Sequence, residues 1–363
     1  MARNRHVEIA AEPEPGWDAS IAAGTCGLLT MYHGMAWAER MRVLLGYQPL
    51  FFTISDGERP ILRLLAFICR PPSIRGLANT VRHVVPAALR GRIGSLLWYG
   101  EPVAVGEARE GHYRDLAASL DREARYRWLR VATGNWPAAL EATIPLGWSV
   151  RRWGTIQVDL SPAKEDLLAA MKGSARKAVR RAERDGIVVR RVASLEELRR
   201  YYAFATRCAR RYDKRMHGFE DFRSMWEHIR PKGWFETFVA EHEGEMIAGL
   251  SVWGHGDVIG ELGSFQSERS FADKLYGPDL IKWKVLQWGH DQGLRQLDLG
   301  GVNPAPEGKE VGIRRFKEKW GGVYYEYTAI GAIGAIEVYV RAFRALRRQI
   351  RLLRERGAGE HRH

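Results

Sequence analysis

The sequence predicts an α/β (α+β) protein of two domains, each a mixed, twisted sheet flanked by helices. Three observations carry that expectation. The chain has 363 residues, more than one ordinary core fills and about right for two. Its 45% hydrophobic and 27% charged residues are the balance of a folded globular chain, not of a disordered or fibrous one. The same order of elements, strand-turn-strand, strand, helix, strand, can be read in both halves, as when one unit is used twice.

In the first half, Gln48 to Ser55 and Ile61 to Cys69 are apolar strand patterns around Asp56-Gly57, a hairpin signal. A basic, proline-bounded stretch from Arg70 to Arg92 follows, then a strand at Leu96 to Tyr99. Next come a helix over about His112 to Glu123, a strand at Trp128 to Ala132, a short helix near Ala138 to Thr143, and a closing strand from Val150 to Leu160. In the second half, Phe235 to Glu241 and Met246 to Trp253 flank the turn Glu243-Gly244, and Val258 to Phe265 is a third strand. A helix from about Ala272 to Gln292 stops at Gly293, and Leu294 to Leu299 is the next strand.

Between the halves lies the most basic stretch, Ser161 to Arg215. Ser161-Pro162 with Glu165 behind them reads as a helix start, with Ser161 as N-cap. Arg176, Arg180 and Arg184 then recur every four residues, a guanidinium ladder with too few carboxylates to be paired internally, so anion binding is expected of it. Val340 to Arg356 places Phe343, Leu346, Ile350 and Leu353 at helical spacing among six arginines, an amphipathic basic helix that would pack on the first domain and face a polyanion or an anionic membrane surface.

The net charge of +13, mostly arginine, points to a polyanionic partner, because guanidinium groups match phosphate oxygens in pairs. Cys26, Cys69 and Cys208 are odd in number and widely spaced, so neither a disulfide framework nor a zinc site is expected, and a cytoplasmic setting fits. The amino-terminal residues lack the apolar run of a secretory signal, and no stretch approaches a membrane span. There is no P-loop and no G-x-S-x-G elbow.

Leu294-Arg-Gln-Leu-Asp-Leu-Gly-Gly301, followed by Arg315-Phe316-Lys317-Glu318-Lys319-Trp320-Gly321-Gly322, resembles the Fem (FemABX-like) family of aminoacyl-tRNA-dependent transferases. The basic stretch Lys172 to Gly186, the hairpin Glu241 to Gly249 and Tyr276-Gly277-Pro278 before a long helix agree with that resemblance. It covers roughly Gln157 to Tyr327. It implies two tandem acetyltransferase-like domains, 1–157 with the C-terminal helix 330–356 packed on it, and 158–329 carrying the catalytic site, without the coiled-coil arm of some members. It also implies an aminoacyl-tRNA donor, an amine acceptor that is either a peptidoglycan precursor or a small antibiotic-like amine, and no cofactor or metal.

Carried over residue by residue, the resemblance implies that Lys317 stabilises the oxyanion formed as the amine attacks the ester, while the backbone carbonyl of Phe316 holds that amine. Arg40, Arg42, Arg210, Arg211, Lys214 and Arg215 are the implied substrate-binding cations, although Met41 stands at the family's lysine spacing from Trp37. Lys172, Arg176, Lys177, Arg180, Arg347 and Arg351 are the expected tRNA contacts. Trp253, Phe265, Tyr276 and Trp320 are candidates for stacking on the terminal adenine, and Tyr276 and Trp253 join the substrate-binding set. Asp298 ends a strand, where an aspartate is ordinarily a turn or capping residue, and no residue stands out as a general base. Two other readings compete: an acyl-CoA-dependent N-acyltransferase of the same fold, for which Ala272 to Pro278 supplies a single glycine, and a non-enzymatic basic RNA- or membrane-binding module.

Overall fold

A computed structural model describes residues 5–28, 30–69, 95–125, 132–211, 216 and 218–332. The C-terminal helix, the basic stretch 70–92 and most of the strand expected at 128–132 lie outside the described residues.

The first half contributes strands β1 (Arg5–Ala10), β2 (Gln48–Asp56), β3 (Arg59–Cys69), β4 (Ser95–Trp98), β5 (Val103–Ala104), β6 (Ala132–Pro137) and β7 (Ser149–Asp159). Its helices are α1 (Trp17–Ala23), α2 (Met35–Leu45) and α3 (Glu110–Arg125). The second half adds helices α4 (Lys164–Ala170), α5 (Gly173–Arg184), α6 (Leu195–Arg210), α7 (Phe219–His228), α8 (Glu268–Ala272), α9 (Gly277–Asp291) and α10 (Lys309–Glu318). Its strands are β8 (Val188–Arg191), β9 (Phe235–His242), β10 (Glu245–His255), β11 (Val258–Gln266), β12 (Gln296–Val302) and β13 (Val323–Ala332).

All of these strands join one sheet, ordered β1-β2-β3-β4-β6-β13-β7-β12-β11-β10-β9-β8, with β5 beside β3. The two halves repeat the same pattern: four antiparallel strands, then one parallel pairing, β4 with β6 and β11 with β12. The terminal strand of each half lies on the other. β7 pairs with β12, and β13 pairs with β6, while β7 and β13 pair with each other over nine register positions from Val323↔Gln157 to Gly331↔Ser149.

Three apolar clusters hold this sheet. One packs α9 and α5 on the second half through Leu286, Ile281, Val179 and Leu297. Another packs α3 on the first half through Leu116, Leu120, Phe52 and Trp136. The third is shared: Trp37, Met41 and Phe67 of the first half meet Tyr201, Phe222 and Trp253 of the second. Burial of this kind contributes on the order of 2 kcal/mol per large apolar side chain, so the shared cluster welds the halves together.

Two expectations are corrected. The helix after the linker starts at Lys164 with Ala163 as its N-cap residue, not at Ser161; Ser161 instead donates its backbone N–H to Asp159. The helix expected over 272–292 begins only at Gly277, as α9, and the short α8 ends before it at Ala272. They are separated by Lys274, whose φ of 53° breaks a right-handed run, and α9 restarts with Pro278 in its first turn, where proline's missing N–H costs nothing.

Candidate active site

β11 and β12 run parallel for three register positions, Val258↔Gln296 to Gly260↔Asp298, and no further. A bulge in the β10–β11 pairing at Ser251 and Val252 turns β11 away at the same level. Asp298 sits where the strands part, with Leu297 and Leu299 on either side of it buried in the second-half core. Its carboxylate is 4% exposed and accepts from Thr155 Oγ1 at 2.6 Å, the Gly300 N–H at 2.6 Å and Gln157 Nε2 at 3.4 Å. Burial pushes its pKa up, and these donors together with the nearby Lys317 charge pull against that.

Gly300 adopts φ of 79°, the left-handed conformation that folds its N–H back onto Asp298 and that residues with a Cβ adopt rarely. The turn brings β12 under α10. There Lys317 donates from Nζ to the Gly301 carbonyl at 2.9 Å. Phe316 beside it is half-buried, edge-on to Trp320 at 5.9 Å and beneath Lys319 Nζ at 4.2 Å. Its backbone carbonyl lies in the last turn of α10, where carbonyls run out of helical donors.

The first half covers this corner with the segment around Gly27. Gln157 Nε2, which reaches Asp298, also donates to the Gly27 carbonyl at 2.6 Å. The Gly27 N–H and the Tyr325 hydroxyl both donate to Glu101 Oε2, at 3.0 and 2.8 Å. A Cβ at Gly27 would lie 1.7 Å from the Tyr325 hydroxyl oxygen, so only glycine fits beneath this ring. Burial raises the Glu101 pKa to about 7. Tyr32 and Tyr327 are pushed up by burial and by the Asp298 carboxylate. Glu101, Gly27, Tyr32 and the Thr155–Gln157 pair have no motif in the sequence; they converge only because strand exchange brings β7 beside β12.

The predicted cations divide. Arg40 is buried between the halves beside Trp37 and Trp253. Arg42 is exposed and forms two-pronged hydrogen bonds with Glu39 on its own helix. Arg210 is exposed at the end of α6, and Arg211 pairs with Glu268 at 3.1 Å. Lys214, Arg215, Arg347 and Arg351 lie outside the described residues. Arg176 reaches back to the carbonyls of Ala169 and Met171, so the ladder loses its first rung to the end of α4. Lys172 pairs with Glu318 of α10 at 3.6 Å, which ties the start of α5 to the Lys317 helix. Lys177, Arg180 and Arg184 are exposed on α5.

The aromatic expectations are also sorted. Trp320 is 1% exposed and Trp253 4%, the latter facing Trp37 at 4.8 Å and Tyr32 at 5.7 Å, so both are packing residues with no open face for a base. Tyr276 is half-buried at the start of α9 under Arg181. Phe265 is half-buried on β11.

At the first turn of α9, where an anion would meet free backbone N–H groups, Pro278 removes a donor and Asp279 is buried against Lys319. Lys282, one turn on, is buried against Glu261. Burial, with Lys317 and Lys319 close by, drives its pKa well down. No helix among the described residues is long and apolar enough to cross a membrane.

Residues 169–318 match the family model described as Acetyltransferase (GNAT) domain. No curated protein matches the chain significantly. Among solved structures, FemX superposes with a TM-score of 0.64 at 14% identity, covering 88% of this chain and 96% of that one. L-PGS from Bacillus licheniformis superposes at 0.52, 17% identity, covering 90% of this chain and 94% of that one. A tandem GNAT protein from the clavulanic acid biosynthesis pathway gives 0.52 at 11% identity, covering 90% of this chain and 98% of that one. The protein thus has a GNAT- and Fem-like acyltransferase-type fold.

Proposed function

We propose that this protein is an aminoacyltransferase that moves an amino acid from its ester on tRNA onto an amine acceptor, forming an amide. The observation that carries the reading is Lys317, fastened to the Gly301 carbonyl directly over the Gly300–Asp298 turn where β11 and β12 part.

An aminoacyl ester is already activated, so aminolysis needs alignment and charge stabilisation rather than ATP. The acceptor nitrogen attacks the ester carbonyl carbon, the carbon–nitrogen bond forms, and the carbonyl oxygen takes up negative charge. The Lys317 ammonium stabilises that charge. The intermediate then collapses, the carbon–oxygen bond to the ribose breaks, and the proton lost by the amine ends on the departing ribose hydroxyl. Asp298 holds the Gly300 turn and balances the Lys317 charge; its three donors leave it poorly placed to act as the base. Lys177, Arg180 and Arg184, with Lys172 linking α5 to α10, form the cationic approach for the tRNA backbone on the cytoplasmic tRNA pool.

Asp279 and Pro278 support this donor over a coenzyme A thioester, because a buried carboxylate stands where the pyrophosphate of the latter would dock. The test is product formation on an amine panel with radiolabelled aminoacyl-tRNA or labelled acetyl-CoA, each with and without ribonuclease. Ribonuclease-sensitive transfer from tRNA is expected. Transfer from acetyl-CoA alone, indifferent to ribonuclease, would sink the donor assignment.

A further inference from the structure

Trp153 stands where the packing of the core gives no reason for a tryptophan. Every other tryptophan among the described residues belongs to one of the three apolar clusters. Trp153 belongs to none and is half-buried on β7. One face of its ring lies under the guanidinium of Arg151, whose carbon is 4.5 Å from the ring centroid. The two arginines of this strand differ. Arg152 pairs with Glu141 at 3.4 Å and with Glu326 at 3.3 Å. Arg151 is exposed, meets no carboxylate among the described residues, and is held there by the ring alone.

The pair stands in line with the reaction corner. Side chains two apart on a strand share a face, and β7 keeps an unbroken register against β13, so Gln157, Thr155, Trp153 and Arg151 follow one another on one face of the sheet. The first two hold Asp298. The third touches Gly301, where a Cβ would lie 2.5 Å from Trp153 Nε1. The carbonyl of the same glycine accepts from Lys317 Nζ at 2.9 Å. Gly301 therefore carries Lys317 on its carbonyl and the indole of Trp153 against its α-carbon.

We infer that Trp153 and Arg151 seat the unpaired 3′-terminal nucleotide of the RNA donor, its base stacked on the indole and a backbone phosphate on the guanidinium. The inference rests on the transfer reading and names where the end of the donor is held. Single-stranded nucleic acid is bound by aromatic rings set among cations, because every base offers a π-face and the backbone a charge. Arg151 breaks no ion pair when it moves to a phosphate oxygen, and in moving it gives up the ring face to the base. The ester and the base of a terminal nucleotide are separated by one ribose, which matches two contacts made at one residue, Gly301. Tyr327, the cross-strand neighbour of Trp153, borders the same face, and its hydroxyl, without a hydrogen bond among the described residues, is free to meet that ribose. A purely apolar ligand would have no use for Arg151, and a bare phosphate none for Trp153.

The experiment measures, by fluorescence anisotropy, binding of the full-length protein to a 5′-fluorescein-labelled ribotrinucleotide CCA and to the same trinucleotide with an abasic 3′-terminal ribose. The wild type should bind the abasic ligand about tenfold more weakly, the usual worth of one stacked base. Trp153→Ala, with its melting curve checked, should bind the two ligands alike, because the lost ring and the lost base are one contact. Trp153→Phe keeps a smaller ring, should retain part of the difference, and serves if the alanine variant fails to fold. Arg151→Gln should weaken both ligands and make the slope of log affinity against log salt shallower by roughly 0.7. Failure of the intact trinucleotide to bind, equal binding of both ligands by the wild type, or an undiminished difference in Trp153→Ala would overturn the inference. So would displacement of the labelled trinucleotide by coenzyme A at lower concentration than by unlabelled CCA. The transfer assay separates the two readings: base-dependent binding with no product from aminoacyl-tRNA would leave the seat standing and fell the transferase reading, whereas product formed by Trp153→Ala with an unchanged KM for aminoacyl-tRNA would do the reverse.

Discussion

Glu101 makes the tie between the halves sensitive to pH. It is 1% exposed, and burial raises its pKa from 4.5 to about 7 against the hydrogen bonds from Tyr325, Gly27 and Leu28. A carboxyl whose folded pKa is raised holds its proton more tightly in the folded chain, so its contribution to stability is fully present below about pH 4.5 and is lost as pH rises through about 7. The separation of those two values corresponds to roughly 3 kcal/mol. Glu101→Gln retains an acceptor for Gly27 and Tyr325 and removes the titration. Urea unfolding near pH 5 and near pH 8, read by fluorescence and far-ultraviolet circular dichroism together, measures the effect, with coincident curves licensing the free energies. Other groups titrate in this window, so the informative quantity is the pH response of the wild type minus that of the variant. The wild type should lose about 2 to 3 kcal/mol more than Glu101→Gln between the two conditions. Parallel responses would mean that Glu101 ionises alike in both states, and the reasoning from its burial would fail.

Four further outcomes are expected. Lys317→Ala should lower turnover by about 10² to 10³, the usual cost of one lost oxyanion donor, while filter binding shows tRNA retention nearly unchanged; lost binding with normal turnover at saturation would refute the oxyanion role. The combined change of Lys177, Arg180 and Arg184 to alanine should weaken tRNA binding and make the slope of log affinity against log salt shallower by roughly 2. Asp279→Ala leaves Lys319 buried without its carboxylate and should cost about 3 kcal/mol in urea unfolding. Acetyl-CoA should raise the melting temperature of neither that variant nor the wild type, and protection of either would count against the donor argument.

What could be read in advance follows the range of the interactions involved. The hairpins at Asp56-Gly57 and Glu243-Gly244 were legible because a turn is a local event; both glycines take positive φ, as such turns require. The repeat of element order was legible for the same reason. Helices α2 and α6 passed unread, as did β1 and β13, because their apolar faces pack on partners far away in sequence. The break before α9 was masked by a continuous helical pattern, although Gly277-Pro278 is a stop-and-restart signal. In the site, Lys317 is legible because it lies inside the Arg315 to Gly322 motif that carries the family resemblance. Asp298 was noticed as a strand-end aspartate and read as a turn residue, which describes its bond to Gly300 and misses its bonds to Thr155 and Gln157. Glu101 carries no local signal at all, since a glutamate between Gly100 and Pro102 looks like any loop acid until burial is known.

The strand exchange explains why the candidate site belongs to neither half. β7 precedes the basic linker in the chain, yet it pairs with β12 and β13, and it alone supplies the Thr155 and Gln157 donors to Asp298. Gln157 in turn fastens Gly27, and Gly27 fastens Glu101. The chain of bonds therefore runs from the turn beneath Lys317 into the first half without leaving hydrogen-bond distance. A cut at residue 157 would divide the strand that holds the turn and leave the edges of β12 and β13 unpaired, an aggregation hazard for any isolated half. The shared cluster of Trp37, Tyr201, Phe222 and Trp253 works in the same direction, because each half alone would expose that apolar face. The turn under Lys317 and the pH-sensitive tie at Glu101 both depend on how the two halves are joined, and a substitution in either should be felt by the other.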